Sequence, residues 1–193
     1  MENEITVEVN TSYEDLDKIL KEKGFKIVEE YTVDDIYMLN KNIDISNLSK
    51  LEILSNCVLV RNITPNYKYL TYKYKVYDEF YNIIEQCKYD CPIEDIDKAV
   101  KFMEAINYKV LFNLFDKLIV YANDKIELVV QLVDNHIYIE VEDDCKNIGI
   151  KYDSVDSMIN ELNRYDLPYE KNNYFVKKAE IKLSEVMENS YDK

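Results

Sequence analysis

Residues 57–77, CVLVRNITPNYKYLTYKYKVY, decide the fold. They read as two strands joined by a turn at Thr64-Pro65-Asn66, since proline and asparagine suit a tight turn. Side chains along a strand alternate between two faces. Leu59 and Arg61 therefore share one face of the first arm, and Thr71, Lys73 and Lys75 share one face of the second. Val58, Val60, Tyr72, Tyr74 and Val76 fall on the other faces, apolar or aromatic and suited to pack under helices. The cations stand on the opposite side. Enclosed, that side is an anion site; open to water, it is a solvated edge.

A chain of 193 residues fits one domain, 1–193, and a 47% hydrophobic fraction is ample for its core. Only 2 Gly and 3 Pro leave little material for linkers. Acidic residues number 38 against 24 basic ones, a net charge of −14, which repels nucleic acid and anionic membranes at long range. Neither is expected as a partner, and a basic pocket must act locally. The opening MENEITVEVN is no signal peptide, and no apolar run is long enough to cross a bilayer. Cys57, Cys87, Cys91 and Cys145 lack a CxxC pair, and the one histidine, His136, is far from them in sequence. They read as reduced, mostly buried thiols of a cytoplasmic protein. Monomer and homodimer both stay open.

In chain order, residues 4–10 alternate strictly, with Glu4, Thr6, Glu8 and Asn10 opposite Ile5, Val7 and Val9. Ser12 caps a helix to Lys23, which Gly24 ends. Residues 26–39 read as two short extended segments around Asp34-Asp35, and 46–54 as a short helix or turn. After the hairpin come a strand at 81–91, broken by Pro92, and a helix from about Ile93 to Ile106. Strands at 108–121, 125–133 and 136–142 follow, then helices near 154–165 and 172–188. This makes an α+β protein whose antiparallel strands form a barrel or strongly curved sheet with flanking helices.

The second face of that sheet is polar. Glu4 and Glu8, Glu85, and Glu140 with Glu142 join Arg61, Lys73 and Lys75 there. Carboxylates beside cations in one cleft suit a divalent ion with a polyphosphate: oxygens take Mg²⁺ or Mn²⁺, and cations take phosphate oxygens. On an open sheet the same residues make ordinary surface ion pairs.

The order of these pieces resembles the CYTH superfamily of triphosphate tunnel metalloenzymes. The strand EITVEVN leads to a helix ending at Gly24-Phe25, then Asp35-x-Tyr37, VLVR (58–61), LTYK (70–73), Glu85, E-x-E at Glu140 and Glu142, and NNYFV (172–176). The resemblance implies an eight-stranded antiparallel β-barrel, a tunnel, binding a small anionic polyphosphate with Mg²⁺ or Mn²⁺. It implies Arg61, Lys73, Lys75 and Lys117 as phosphate ligands, and Glu4, Glu8, Glu85, Glu140 and Glu142 on the metal side. The activity implied is that of a triphosphatase or class IV adenylate cyclase.

The chain departs from the pattern at several points. The family's E-x-E-x-K on the first strand loses one acid and its lysine, and Leu59 replaces an arginine. Ile83 and Cys87 flank Glu85 where Arg and Glu belong; Lys117 stands alone for K-x-R, and Gln131 replaces an aspartate. Each lost charge-assisted contact is worth roughly 1.5–3 kcal/mol. The alternative is therefore a catalytically inactive protein of the same fold, binding another anion or a protein partner. His136 reads as a solvated turn residue, and Tyr67, Tyr69, Tyr72 and Tyr74 as packing and cross-strand contacts rather than a nucleic-acid platform. The last helix, with Lys171, Lys177, Lys178 and Lys182, reads as a solvated face or as a plug for one end of the tunnel.

Overall fold

The computed structural model describes the backbone of residues 4–77 and 83–191, and the side chains of 4–73 and 87–188. Strand β1 (Glu4–Glu8) buries Ile5 and Val7 fully. Helix α1 (Tyr13–Glu22) starts where the Ser12 hydroxyl accepts from the Asp15 amide, and it buries Leu16 and Leu20, one turn apart. Gly24, at φ +86°, ends it in the left-handed region.

Strand β2 (Lys26–Asn40) is continuous, where two segments were expected. Asp34-Asp35 does not turn the chain because Asp35 pairs with Arg61 across the ladder, so its charge is met within the sheet. Helix α2 (Lys50–Ser55) carries a reciprocal cap between Ser49 and Glu52. The hairpin forms as expected, β3 (Val58–Thr64) with β4 (Tyr67–Tyr77). Strand β5 (Ile83–Pro92), helix α3 (Ile96–Ala105), β6 (Tyr108–Ala122), β7 (Glu127–Val133) and β8 (His136–Glu142) follow. A two-residue ladder, β9 (Asp144–Cys145) with β10 (Ile150–Lys151), precedes helices α4 (Val155–Asn163) and α5 (Lys178–Tyr191).

Helix α5 begins six residues later than expected. The stretch before it pairs with β1 instead. Thr6 N donates to Tyr174 O at 2.9 Å, Val176 N to Thr6 O at 3.1 Å, and Glu170 N to Glu8 O at 2.9 Å. These bonds cover an edge that β1 would otherwise present.

The eight long strands form one antiparallel sheet in the order β1-β8-β7-β6-β2-β3-β4-β5. The chain divides into two compact units. The first comprises residues 1–31 and 116–177, the second 32–115 and 178–193. In the first, α1 and α4 cover one sheet face, over a core that includes Val7, Leu20, Ile119, Val130, Ile139 and Leu162. In the second, Met38 and Val60 pack against Met103 of α3. Leu183 of α5 is fully buried, and α5 packs on α2, with Lys50 Nζ donating to Ser184 Oγ. Among the described residues no helix is long and apolar enough to cross a membrane.

The second sheet face is buried too. In the first unit it carries Thr6, Leu118, Val129, Gln131 and Tyr138, each at most 6% exposed. In the second unit it carries Tyr37, Leu59 and Thr71. A sheet open to water on one side alternates buried with exposed; here both parities are buried along much of the ladder.

Candidate functional site

The cations gather in the second unit. Across β2 and β3, Asp35 stands opposite Arg61, and Tyr37 opposite Leu59. Across β3 and β4, Arg61 stands opposite Tyr69, and Leu59 opposite Thr71; across β4 and β5, Thr71 meets Asp90 and Lys73 meets Lys88. Cross-strand partners share a face, so Asp35, Arg61, Thr71, Lys73, Lys88 and Asp90 all lie on one side.

Arg61 holds Asp35 through two bonds, Nε to Oδ1 at 2.6 Å and Nη2 to Oδ2 at 2.5 Å. The two side chains are 14% and 6% exposed. Burial works against the Arg61 charge, but the hydrogen bonds and charge of Asp35 outweigh it and raise its pKa above the ordinary value. The fork uses two of the guanidinium's five donors, so the charge is fixed in direction with N–H groups remaining. Beside it, Thr71 Oγ1 donates to Asp90 Oδ1 at 2.6 Å, and Lys88 Nζ reaches Asp90 Oδ2 at 2.7 Å. Burial favours a protonated Asp90, yet these bonds and the positive charges of Lys88 and Arg61 hold its pKa below the usual range. Tyr37 and Phe112 form an aromatic wall, stacked at 4.4 Å and 17°.

Lys88 and Asp90 were not foreseen. The strand around them reads EQCKYD, with polar residues in both parities. The ladder selects Lys88 and Asp90 for the Arg61 face and sets Glu85 opposite Val76, not opposite a lysine. Lys75 stands opposite Gln86, but the side chains of Lys75 and Glu85 lie outside the described residues.

The glutamates gather in the first unit. Glu4 stands opposite Glu142, and Thr6 opposite Glu140. Glu140 in turn stands opposite Val129, which places Glu127 on the same face. Tyr31 reports their field: burial, then Glu140, Glu142, Glu29 and Glu127, push its phenol up to about 12. Glu8 is engaged otherwise, its Oε1 lying 2.8 Å from His136 Nδ1. His136 is thus no turn residue. It opens β8, half-buried, and stacks on Tyr138 at 5.9 Å.

Lys117 is not brought to these groups. It stands opposite Leu132, on the helix-covered face, and pairs with Glu30 at 3.7 Å. Among the described residues, no three His, Cys, Asp or Glu side chains are arranged to hold a metal ion. Glu4, Glu140 and Glu142 share one face without forming such a group as placed. All four cysteines are free thiols, Cys57 and Cys145 buried and Cys91 exposed.

The chain has the fold of several solved structures. It matches the PH1819 protein of Pyrococcus horikoshii with a TM-score of 0.63 at 17% identity, covering 96% of this chain and 99% of that one. The PH1012 protein of the same organism gives 0.56 at 15%, covering 89% and 97%. A candidate adenylate cyclase of Vibrio parahaemolyticus gives 0.55 at 12%, covering 97% of each. At such identities the likeness concerns the fold alone. No protein-family model matches the chain, and no curated protein matches it by sequence.

Proposed function

We propose that this chain is a CYTH-like tunnel protein that binds a small phosphate-bearing anion on its Arg61 face without hydrolysing it. One observation carries this reading: Lys73 and Lys88 are direct cross-strand partners, with Arg61 on the same side. Lys88 is held by Asp90, and the three cationic groups share one side of the sheet, where the oxygens of one phosphate group can accept from more than one of them. Arg61, aimed by Asp35, supplies directed donors. The contacts this reading assigns to the anion, Arg61 and Lys73, are cationic, so it calls on no divalent ion.

Calorimetry with tripolyphosphate, with and without Mn²⁺, tests this. The expected result is binding in the absence of metal, weakened about tenfold by Lys73→Gln, with no phosphate released. Absence of binding overturns it. A second reading, a Mg²⁺- or Mn²⁺-dependent triphosphatase or cyclase, draws on the row of Glu4, Glu140 and Glu142 along one face. Metal-dependent phosphate release that Glu140→Gln abolishes favours it.

A further inference from the structure

Strand β4 carries more on its cationic face than lysine. Tyr67, Tyr69, Thr71 and Lys73 alternate along it, all in the parity of Arg61's cross-strand partner Tyr69. Tyr67 and Tyr69 lie with their rings 6.3 Å apart between centroids and within 8° of parallel. Tyr67 is 57% exposed at the tip of the β3–β4 hairpin. Two parallel tyrosines, Tyr67 exposed and Tyr69 half-buried, form a platform for a flat ring, and any aromatic heterocycle stacks on such a surface. Arg61, directly across the ladder from Tyr69, is about 5 Å away at the backbone, so a ring on the tyrosines and an anion on the guanidinium would belong to one short molecule.

The face offers directed donors rather than a large surplus of charge: Arg61 holds Asp35 and Lys88 holds Asp90, so a single phosphate group, alone or at the end of a polyphosphate, suits it. We propose that the Tyr67–Tyr69 pair is a ring subsite, and that the ligand is an aromatic monophosphate of the nucleoside monophosphate class. Its base lies on the two tyrosines, and its phosphate meets Arg61 and Lys73. This rests on the Arg61 face being an anion site; the ring subsite is new.

Equilibrium titrations of the full chain with AMP, adenosine, orthophosphate and tripolyphosphate separate the two ideas. AMP is expected to bind at least tenfold more tightly than orthophosphate or adenosine. Tyr67→Ala with Tyr69→Ala is expected to remove that advantage, about a tenfold loss or more, while leaving tripolyphosphate unchanged. Tyr67→Phe with Tyr69→Phe, which keeps the rings, is expected to retain it. If AMP binds no better than orthophosphate and ignores the alanine changes, the ring subsite is overturned and the anion site stands. If AMP binding depends on the tyrosines but not on Lys73, and tripolyphosphate does not bind, the anion site falls and with it the phosphate half of this proposal. Binding of neither overturns both.

Discussion

Removing the Asp35 carboxylate would leave a buried guanidinium without its counter-charge. A pair this enclosed contributes little net stability compared with an apolar pair, yet breaking it from one side is costly. Asp35→Asn is accordingly expected to lower unfolding stability by about 3 kcal/mol, read as a shifted urea midpoint with an unchanged slope. A loss under about 1 kcal/mol would mean that Arg61 finds water or another acceptor. Tyr31 offers a second residue-scale test. Its native pKa of about 12 exceeds the ordinary phenol value of 10, so the neutral form is favoured on folding. That contribution is present below pH 10 and lost as pH rises through about 12. The absorbance titration of the wild type minus Tyr31→Phe should show this midpoint, and Glu140→Gln should lower it. A difference midpoint near 10, the unperturbed phenol value, would mean that Tyr31 does not feel the glutamates.

At the scale of elements, alternation made the β3–β4 hairpin legible, because Val58 and Val60 on one arm and Tyr72, Tyr74 and Val76 on the other alternate with Arg61, Thr71, Lys73 and Lys75. What failed was non-local. Asp34-Asp35 has the composition of a turn, and only the partner strand, with Arg61 waiting opposite, keeps it extended. Residues 172–177 read as helix, but the Tyr174 carbonyl and the Val176 amide bond to Thr6 of β1, more than 160 residues earlier. The parity of β5 was likewise unreadable, since Glu85 and Lys88 are polar on opposite alternations and only pairing with β4 chooses between them. Helix α5, expected as a solvated face or a plug, instead sinks Leu183 against its neighbours within the second unit. Leu183→Ala should therefore cost about 2–3 kcal/mol and expose Lys178 and Lys182 to trypsin before the rest of the chain is cut. Unchanged digestion kinetics would show that α5 is held by other contacts.

For the whole molecule the decisive quantity is the net charge of −14. If the Arg61 face is the anion site proposed above, a phosphate ligand meets repulsion from the surplus of carboxylates at long range and attraction at that face. The two act over different distances, so salt separates them. At about 0.01 M ionic strength the screening length is about 30 Å, and the full acidic field reaches the ligand; at about 0.15 M it is about 8 Å, and only nearby groups count. Raising salt across that range should therefore increase the association rate of tripolyphosphate several-fold, opposite to the behaviour of a basic anion-binding protein. The dissociation rate, set by the local contacts of Arg61, Lys73 and Lys88, should rise more modestly. Stopped-flow measurements at both salt concentrations read the two separately. An association rate that falls with salt would mean that the cationic face dominates the field well beyond its own surface, and that the surplus of carboxylates does not shape the ligand's approach.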